Sequence, residues 1–328
     1  MADSTFGKYV WMDGKLVPWA EATVHVSLLG WSTMSGIFEG IKAYRDPSTG
    51  GLNAWQFHEH YRRFAASMKL MRMQPEFGPD DLVRASIDLI RANECRDDTY
   101  IRPIGYFEAT WFGAMDDCRT RIVICTESFT SRFGAGRTLD VCVSSWTRVS
   151  DNALSPRIKC ISNYQNSRLA LVDARLAGYD SAIFLNAAGK VAEGPASCLF
   201  LARDGVLITP TVTSGILESI TRAAIIRIAR EALDLPVVER EVDRTELYIA
   251  DEIFFCGTGA EIAAISSVDR HPVGEGRIGP ITSRIEDLYH KLVRAQDPRY
   301  PEWRLPVDEG VGSRVSGVEE NLTPDPVS

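Results

Sequence analysis

The spacing of apolar residues divides the chain into two successive runs of strands and helices. YVWMDGKLVPW alternates apolar and polar positions around Asp13-Gly14, so the chain is expected to open with a hairpin closed by a tight turn. GIFEGIKAY reads as a further strand. The period then lengthens: EHYRRFAASMKLM and DDLVRASIDLIRAN space their apolar residues as helices do, with Leu82, Val83, Leu89 and Ile90 on one stripe. TYIRPIGYFEA and RTRIVICTE return to strand character, which completes a small α/β unit over residues 1–127. SFTSRFGAGR, residues 128–137, is rich in Ser, Gly and Arg and reads as the linker between domains.

A second, larger α/β unit over residues 138–308 starts with the strand LDVCVSSW. After a helix, SAIFLNAAGKVAEGPASCLFLARDGVLITP reads as a strand meander with turns at AAGK and RDG. SITRAAIIRIAREAL and RTELYIADE are expected to be helices, IFFCGT a strand and PITSRIEDLYHKLVRAQ the last helix. Residues 309–328 offer little to bury and read as a disordered tail. Gly274, Gly276 and Gly279 spell GxGxxG, but VDRHPV before them carries charge and proline, so a glycine-rich turn is expected rather than a dinucleotide loop.

Composition narrows the function classes. A chain of 328 residues suits two domains, and 45% hydrophobic with 24% charged residues is the balance of a soluble protein. A net charge of −8 argues against nucleic-acid binding, which needs a basic face. No apolar run approaches membrane-spanning length, and MADSTFGKYVW lacks a signal-peptide core, so a cytoplasmic protein with no membrane partner is expected. The seven cysteines form no CxxC pair, and several sit in strand-like runs such as RIVICTE and LDVCVSSW, as reduced buried thiols do. His58 and His60 flank Glu59, and on a helix the two imidazoles cannot share a face, so no metal site is expected.

The chemistry concentrates between Lys159 and Glu193. Lys159 follows the Pro-containing loop SPRIK, Tyr164 lies five residues on, and a helix and a strand hairpin lead to Glu193-Gly194. An amine, a phenol and a carboxylate suit pyridoxal 5'-phosphate (PLP). The lysine can form the Schiff base, the phenol can bond the ring hydroxyl, and the carboxylate can keep the pyridine nitrogen protonated.

With FEGIKAY, YIRP, EGPASCLF, LESITR and FCGTGAEI, this stretch resembles the branched-chain amino acid aminotransferases, from about residue 9 to about residue 305 and in family order. The resemblance implies a two-domain α/β (α+β) fold-type IV architecture, the D-amino acid aminotransferase-like one, with PLP between the domains. It also implies a homodimer or higher homo-oligomer whose partner loop completes the site. The implied activity is ping-pong amino transfer from Leu, Ile or Val to 2-oxoglutarate. Lys159, Glu193 and Tyr164 correspond to the catalytic set, and Arg63, Leu217, Ile220, Thr221 and Thr258 to further cofactor contacts. Phe38, Gly40, Tyr100, Arg102, Thr258, Gly259 and Ala260 correspond to substrate contacts.

The chain departs from the family pattern at Thr33, where an aromatic is usual, and at Phe129, Cys198, Glu218 and Ser219. These departures touch the pocket wall more than the cofactor. Three alternatives stay open: a fold-type IV transaminase for D-amino acids or (R)-amines, an aminodeoxychorismate lyase-like enzyme, and a non-catalytic homologue.

Overall fold

The structure, a computed structural model, describes residues 5–109, 118–131 and 137–307, the Trp31 side chain excepted. The expected tail at 309–328 lies outside the described residues, as does part of the linker expected at 128–137.

The Asp13-Gly14 turn forms as the pattern predicts. Asp13 and Gly14 both take positive φ, 43° and 92°, which lets β1 (Tyr9–Met12) fold back on β2 (Lys15–Pro18). FEG interrupts the next strand, giving β3 (Ile37–Phe38) and β4 (Ile41–Arg45). With β5 (Leu52–Trp55), β6 (Thr99–Glu108) and β7 (Arg119–Ser128) these build an antiparallel first sheet. The sequence pattern does not anticipate the short helix α1 (Leu29–Ser35). The helices α2 (Phe57–Leu70) and α3 (Pro79–Ala92) pack on the sheet, and the predicted stripe of Leu82, Val83, Leu89 and Ile90 is buried there.

The second sheet runs β12-β11-β10-β13-β14-β8-β9, comprising β8 (Thr138–Thr147), β9 (Ser181–Leu185), β10 (Cys198–Arg203), β11 (Val206–Thr209), β12 (Val237–Glu239), β13 (Glu252–Gly257) and β14 (Glu261–Val268). A two-residue β15 (His271–Pro272) pairs with β14. Both faces of this sheet are buried. One face holds Phe200, Phe254, Ile225 and Leu288 beside α5 (Asn163–Leu176), α6 (Ile220–Arg227) and α7 (Pro280–Val293), while the short α4 (Asp151–Leu154) buries no residue; the other face holds Leu199, Ile253 and Phe255. The chain then returns to the first sheet, where β16 (Arg304–Pro306) pairs with β5, although the sequence pattern assigns it to the second unit.

Three expectations are corrected. The meander is not continuous: β9 pairs in parallel with β8, while β10 pairs with β11 and β13. CLFLA is apolar on both faces, which suits the sheet interior rather than a neighbour of the edge strand. RTELYIADE gives one 3₁₀ turn over Arg244–Tyr248, because β13 claims the backbone from Glu252. β14 is absent from the sequence reading, since EIAAISSV is rich in Ala and Ser, which give a weak strand signal. The Gly274–Gly279 segment is a turn, with Gly274 and Gly276 at φ 52° and 70°.

Candidate active site

A cleft between the two sheets collects residues far apart in the chain. Phe38, Gly40, Arg63, Tyr100, Lys159, Tyr164, Glu193, Leu217, Ile220, Thr258 and Gly259 all line it. Arg102, Thr221, Ala260 and Thr33 do not.

Lys159 sits on the loop between α4 and α5, pinned to the first sheet by its own backbone. Its N–H donates to Ser67 Oγ of α2 at 3.3 Å, and its carbonyl accepts from Phe38 N of β3 at 2.9 Å. Asn163 Nδ2 braces the loop from inside, donating to the Ser155 and Ile158 carbonyls at 3.0 and 2.9 Å. The side chain is therefore aimed rather than free: Nζ bonds Tyr164 Oη at 2.6 Å and lies 4.5 Å from the Phe38 ring centroid. Tyr164 is in the first turn of α5, so helix formation fixes its distance from the lysine loop. The Phe38 ring meets the Tyr164 ring edge-on at 4.9 Å.

Glu193 faces the same cleft from the far side. The expected hairpin places it, since Phe184 N donates to the Glu193 carbonyl at 2.8 Å and Ala192 N to that of Phe184 at 2.8 Å. Gly194 is required next, because a Cβ there would lie 2.8 Å from both Phe255 and Ser197. The carboxylate is buried, with Oε1 on Arg148 Nη2 at 2.8 Å and Oε2 on Leu217 N at 3.2 Å. Burial pushes its pKa up, and the Arg148 charge opposes that push. Arg148 is a residue the sequence reading missed. A lone Arg in WTRVS carries no periodic signal, and its partner is distant in sequence.

At the other end of the cleft, Arg63 projects from α2, but it does not stand alone. Its Nε and Nη2 donate to the two carboxylate oxygens of Glu39 at 2.7 and 2.8 Å, and Nη1 to the Glu218 carbonyl at 2.8 Å. Glu39, fully buried, also accepts from His60 Nδ1 at 2.8 Å. Burial would raise its pKa, yet the Arg63 charge and the bonds from His60 and Arg63 win and bring it down to about 2. Burial lowers the His60 pKa, and the Glu39 carboxylate opposes that shift. The sequence reading used Phe38 and Gly40 and passed over the Glu between them. Arg62 is exposed and pairs with Glu59.

Opposite Arg63, α6 begins at the cleft. Ser219 caps it, its Oγ accepting from Arg222 N at 3.2 Å, and the preceding first-turn N–H groups have no intrahelical acceptor. The Arg222 side chain turns away to bond Thr209 Oγ1 at 3.0 Å and the Pro210 carbonyl and Glu239 at 2.8 Å each, which fixes the helix on β11 and β12. An anion at this end would meet a helix N-terminus and one guanidinium corner.

The remaining wall is narrow by construction. Gly40 lies against Tyr100, where a Cβ would come 1.8 Å from the phenol oxygen. Thr258, Gly259 and Ala260 form the turn between β13 and β14, and the space over Gly259 is open. Arg102 shares a strand face with Tyr100 but pairs with Glu127 at 2.5 Å.

The model of the amino-transferase class IV family matches residues 36–268. A probable branched-chain-amino-acid aminotransferase of Aquifex aeolicus (strain VF5) is 36% identical over 300 residues, covering 91% of this chain and 96% of that protein. A branched-chain amino acid aminotransferase from Thermobaculum terrenum in PLP-form superposes with TM-score 0.90 at 46% identity, covering 93% of this chain and 100% of that one. The branched-chain aminotransferase of Thermoproteus uzoniensis with norvaline gives 0.87 at 36% identity, covering 92% and 99%.

Proposed function

This chain belongs to the class IV aminotransferases, in the fold-type IV branched-chain aminotransferase family, and is a PLP-dependent transaminase; from that premise we propose that it moves the amino group of Leu, Ile or Val to 2-oxoglutarate. One observation carries the reading. An amine, a phenol and a buried carboxylate share a cleft whose opposite end offers a guanidinium and a helix N-terminus. That donor set fits PLP end for end, with Glu193 for the ring nitrogen, its carboxylate held by Leu217 N–H, Tyr164 for the ring hydroxyl, Lys159 for the aldehyde, and Arg63 with Ile220 and Thr258 around the phosphate, Thr221 being buried behind Ile220.

Bound PLP supplies an aldehyde carbon and an electron-withdrawing ring. The chain's own groups do the rest. Lys159 would hold the cofactor until substrate displaces it, and its freed Nζ would then carry the proton between the substrate Cα and the former aldehyde carbon of the cofactor. The Glu193 anion keeps the ring nitrogen protonated, and Arg148 keeps Glu193 an anion. The Tyr164 hydroxyl, 2.6 Å from Nζ, orients the amine between these tasks. Tyr100 and the 258–260 amides receive the α-carboxylate, and Phe38 and Gly40 take the aliphatic side chain. Amino acid and oxo acid use one cleft in turn, which makes the kinetics ping-pong.

The test is direct. Borohydride treatment of PLP-loaded protein should attach the cofactor to the Lys159 peptide, as seen by mass spectrometry, and Lys159→Ala should abolish the adduct. Single half-reactions with L-Leu, L-Ile and L-Val should change the cofactor absorbance, while D-Ala and (R)-1-phenylethylamine should not. Reaction with the latter pair alone would overturn the branched-chain assignment.

A further inference from the structure

Behind the substrate end of the cleft lies a buried charge cluster that the chemistry above does not use. Lys42, on β4 two residues after Gly40, is 1% exposed. Its Nζ lies 3.1 Å from Glu261 Oε1 and 3.5 Å above the centroid of the Phe129 ring. Glu261 is the first residue of β14, directly after the Thr258–Ala260 turn, and it holds φ 54°, a left-handed conformation strained for a non-glycine residue. Its carboxylate is gripped from three sides: by Lys42, by Tyr44 Oη at 3.0 Å and by Ser131 Oγ at 2.5 Å. All three come from the first sheet or the segment just after it, whereas Glu261 belongs to the second sheet. Phe129, under the ammonium, stacks on Tyr100 at 6.3 Å and 27°.

The ammonium thus supports both walls that would meet a substrate carboxylate, the 258–260 turn through Glu261 and Tyr100 through Phe129. Among the described residues, Asp98, Arg294 and His290 also act on the pair, and Tyr44, Tyr289 and Glu286 lie in the field of Glu261. A buried ion pair is poor evidence for stability, because well-packed apolar residues often serve as well. What charge adds here is a fixed distance between two sheets across the site.

We propose that Lys42 and Glu261 are positioning residues that set the 258–260 amides against Tyr100 and so determine affinity for the substrate carboxylate. The proposal rests on the reading that those amides and Tyr100 receive that carboxylate.

The test compares two inhibitors of PLP-loaded enzyme against L-leucine, 4-methylpentanoate and its uncharged isostere 4-methylpentanamide. The native protein should favour the carboxylate; equal inhibition constants would refute the carboxylate reading itself. In Lys42→Met and in Glu261→Gln, which keeps an acceptor for Tyr44, the preference for carboxylate over amide should fall at least tenfold, with KM for L-leucine raised and PLP content unchanged. Lys42→Arg should restore it. Should Lys42→Met fold poorly, Tyr44→Phe removes one bond to Glu261 and should lower the preference in the same direction. A native carboxylate-to-amide ratio in these variants, with only the melting temperature lowered, would overturn the proposal.

Discussion

Replacing Glu39 by Gln separates the stability of the cleft from its loading. The Glu39 carboxyl falls from 4.5 to about 2 on folding, which corresponds to about 3 kcal/mol of stabilisation. The usual cost of breaking a buried pair, roughly 3–5 kcal/mol, is of the same size. The sign follows from the lowered pKa: this contribution is present in full above pH 4.5 and drains away as pH falls toward 2. For 328 residues, the loss of about 3 kcal/mol lowers the melting temperature by on the order of 5 °C. The assay is calorimetry of cofactor-free and PLP-loaded protein at pH 7. The cofactor-free variant should show the full drop, and the gap to native protein should close below pH 4.5. The loaded variant should lose less, because the cofactor phosphate then supplies the anion that Arg63 has lost. A cofactor-free variant melting within about 1 °C of native would refute the ion pair's role. Equal losses with and without PLP would refute Arg63 as a phosphate contact.

Two further substitutions probe the ring end and the pocket wall. Arg148→Met removes the cation that opposes burial at Glu193, so the carboxyl pKa should rise further, with a cost of roughly 3–5 kcal/mol. The acid limb of the activity profile should then move to higher pH; an unmoved limb would separate Arg148 from the ring partner. Gly40→Ala places a methyl 1.8 Å from the Tyr100 oxygen, so Tyr100 must shift. KM for L-leucine should rise with PLP binding intact, and an unchanged KM would remove Tyr100 from the substrate wall.

Local chemistry was legible in the sequence; long-range pairing was not. The Asp13-Gly14 turn and the buried stripe of α3 are set by neighbours within a few residues, and both appear as expected. The Lys159–Tyr164 contact is also local, fixed by a loop entering a helix. Glu39, Arg148 and Lys42 carry no comparable signal. Each is a lone charged residue between uncharged neighbours, and its meaning depends on a partner that folding brings from elsewhere. The same limit explains the meander, where the strands are visible but their neighbours are not. Arg102 illustrates the reverse case, since alternation fixes its strand face but not its pairing with Glu127.

The backbone bond from Phe38 N to the Lys159 carbonyl, 2.9 Å long, has a consequence for how the enzyme can be watched. It joins the peptide unit of Lys159, on its loop, to β3 of the first sheet, so the lysine cannot leave its seat while that amide proton stays shielded. Hydrogen exchange at this one amide therefore reports any lifting of the Lys159 loop from the first sheet. It does so without a chromophore, and equally before loading, during turnover and after the cofactor has gone.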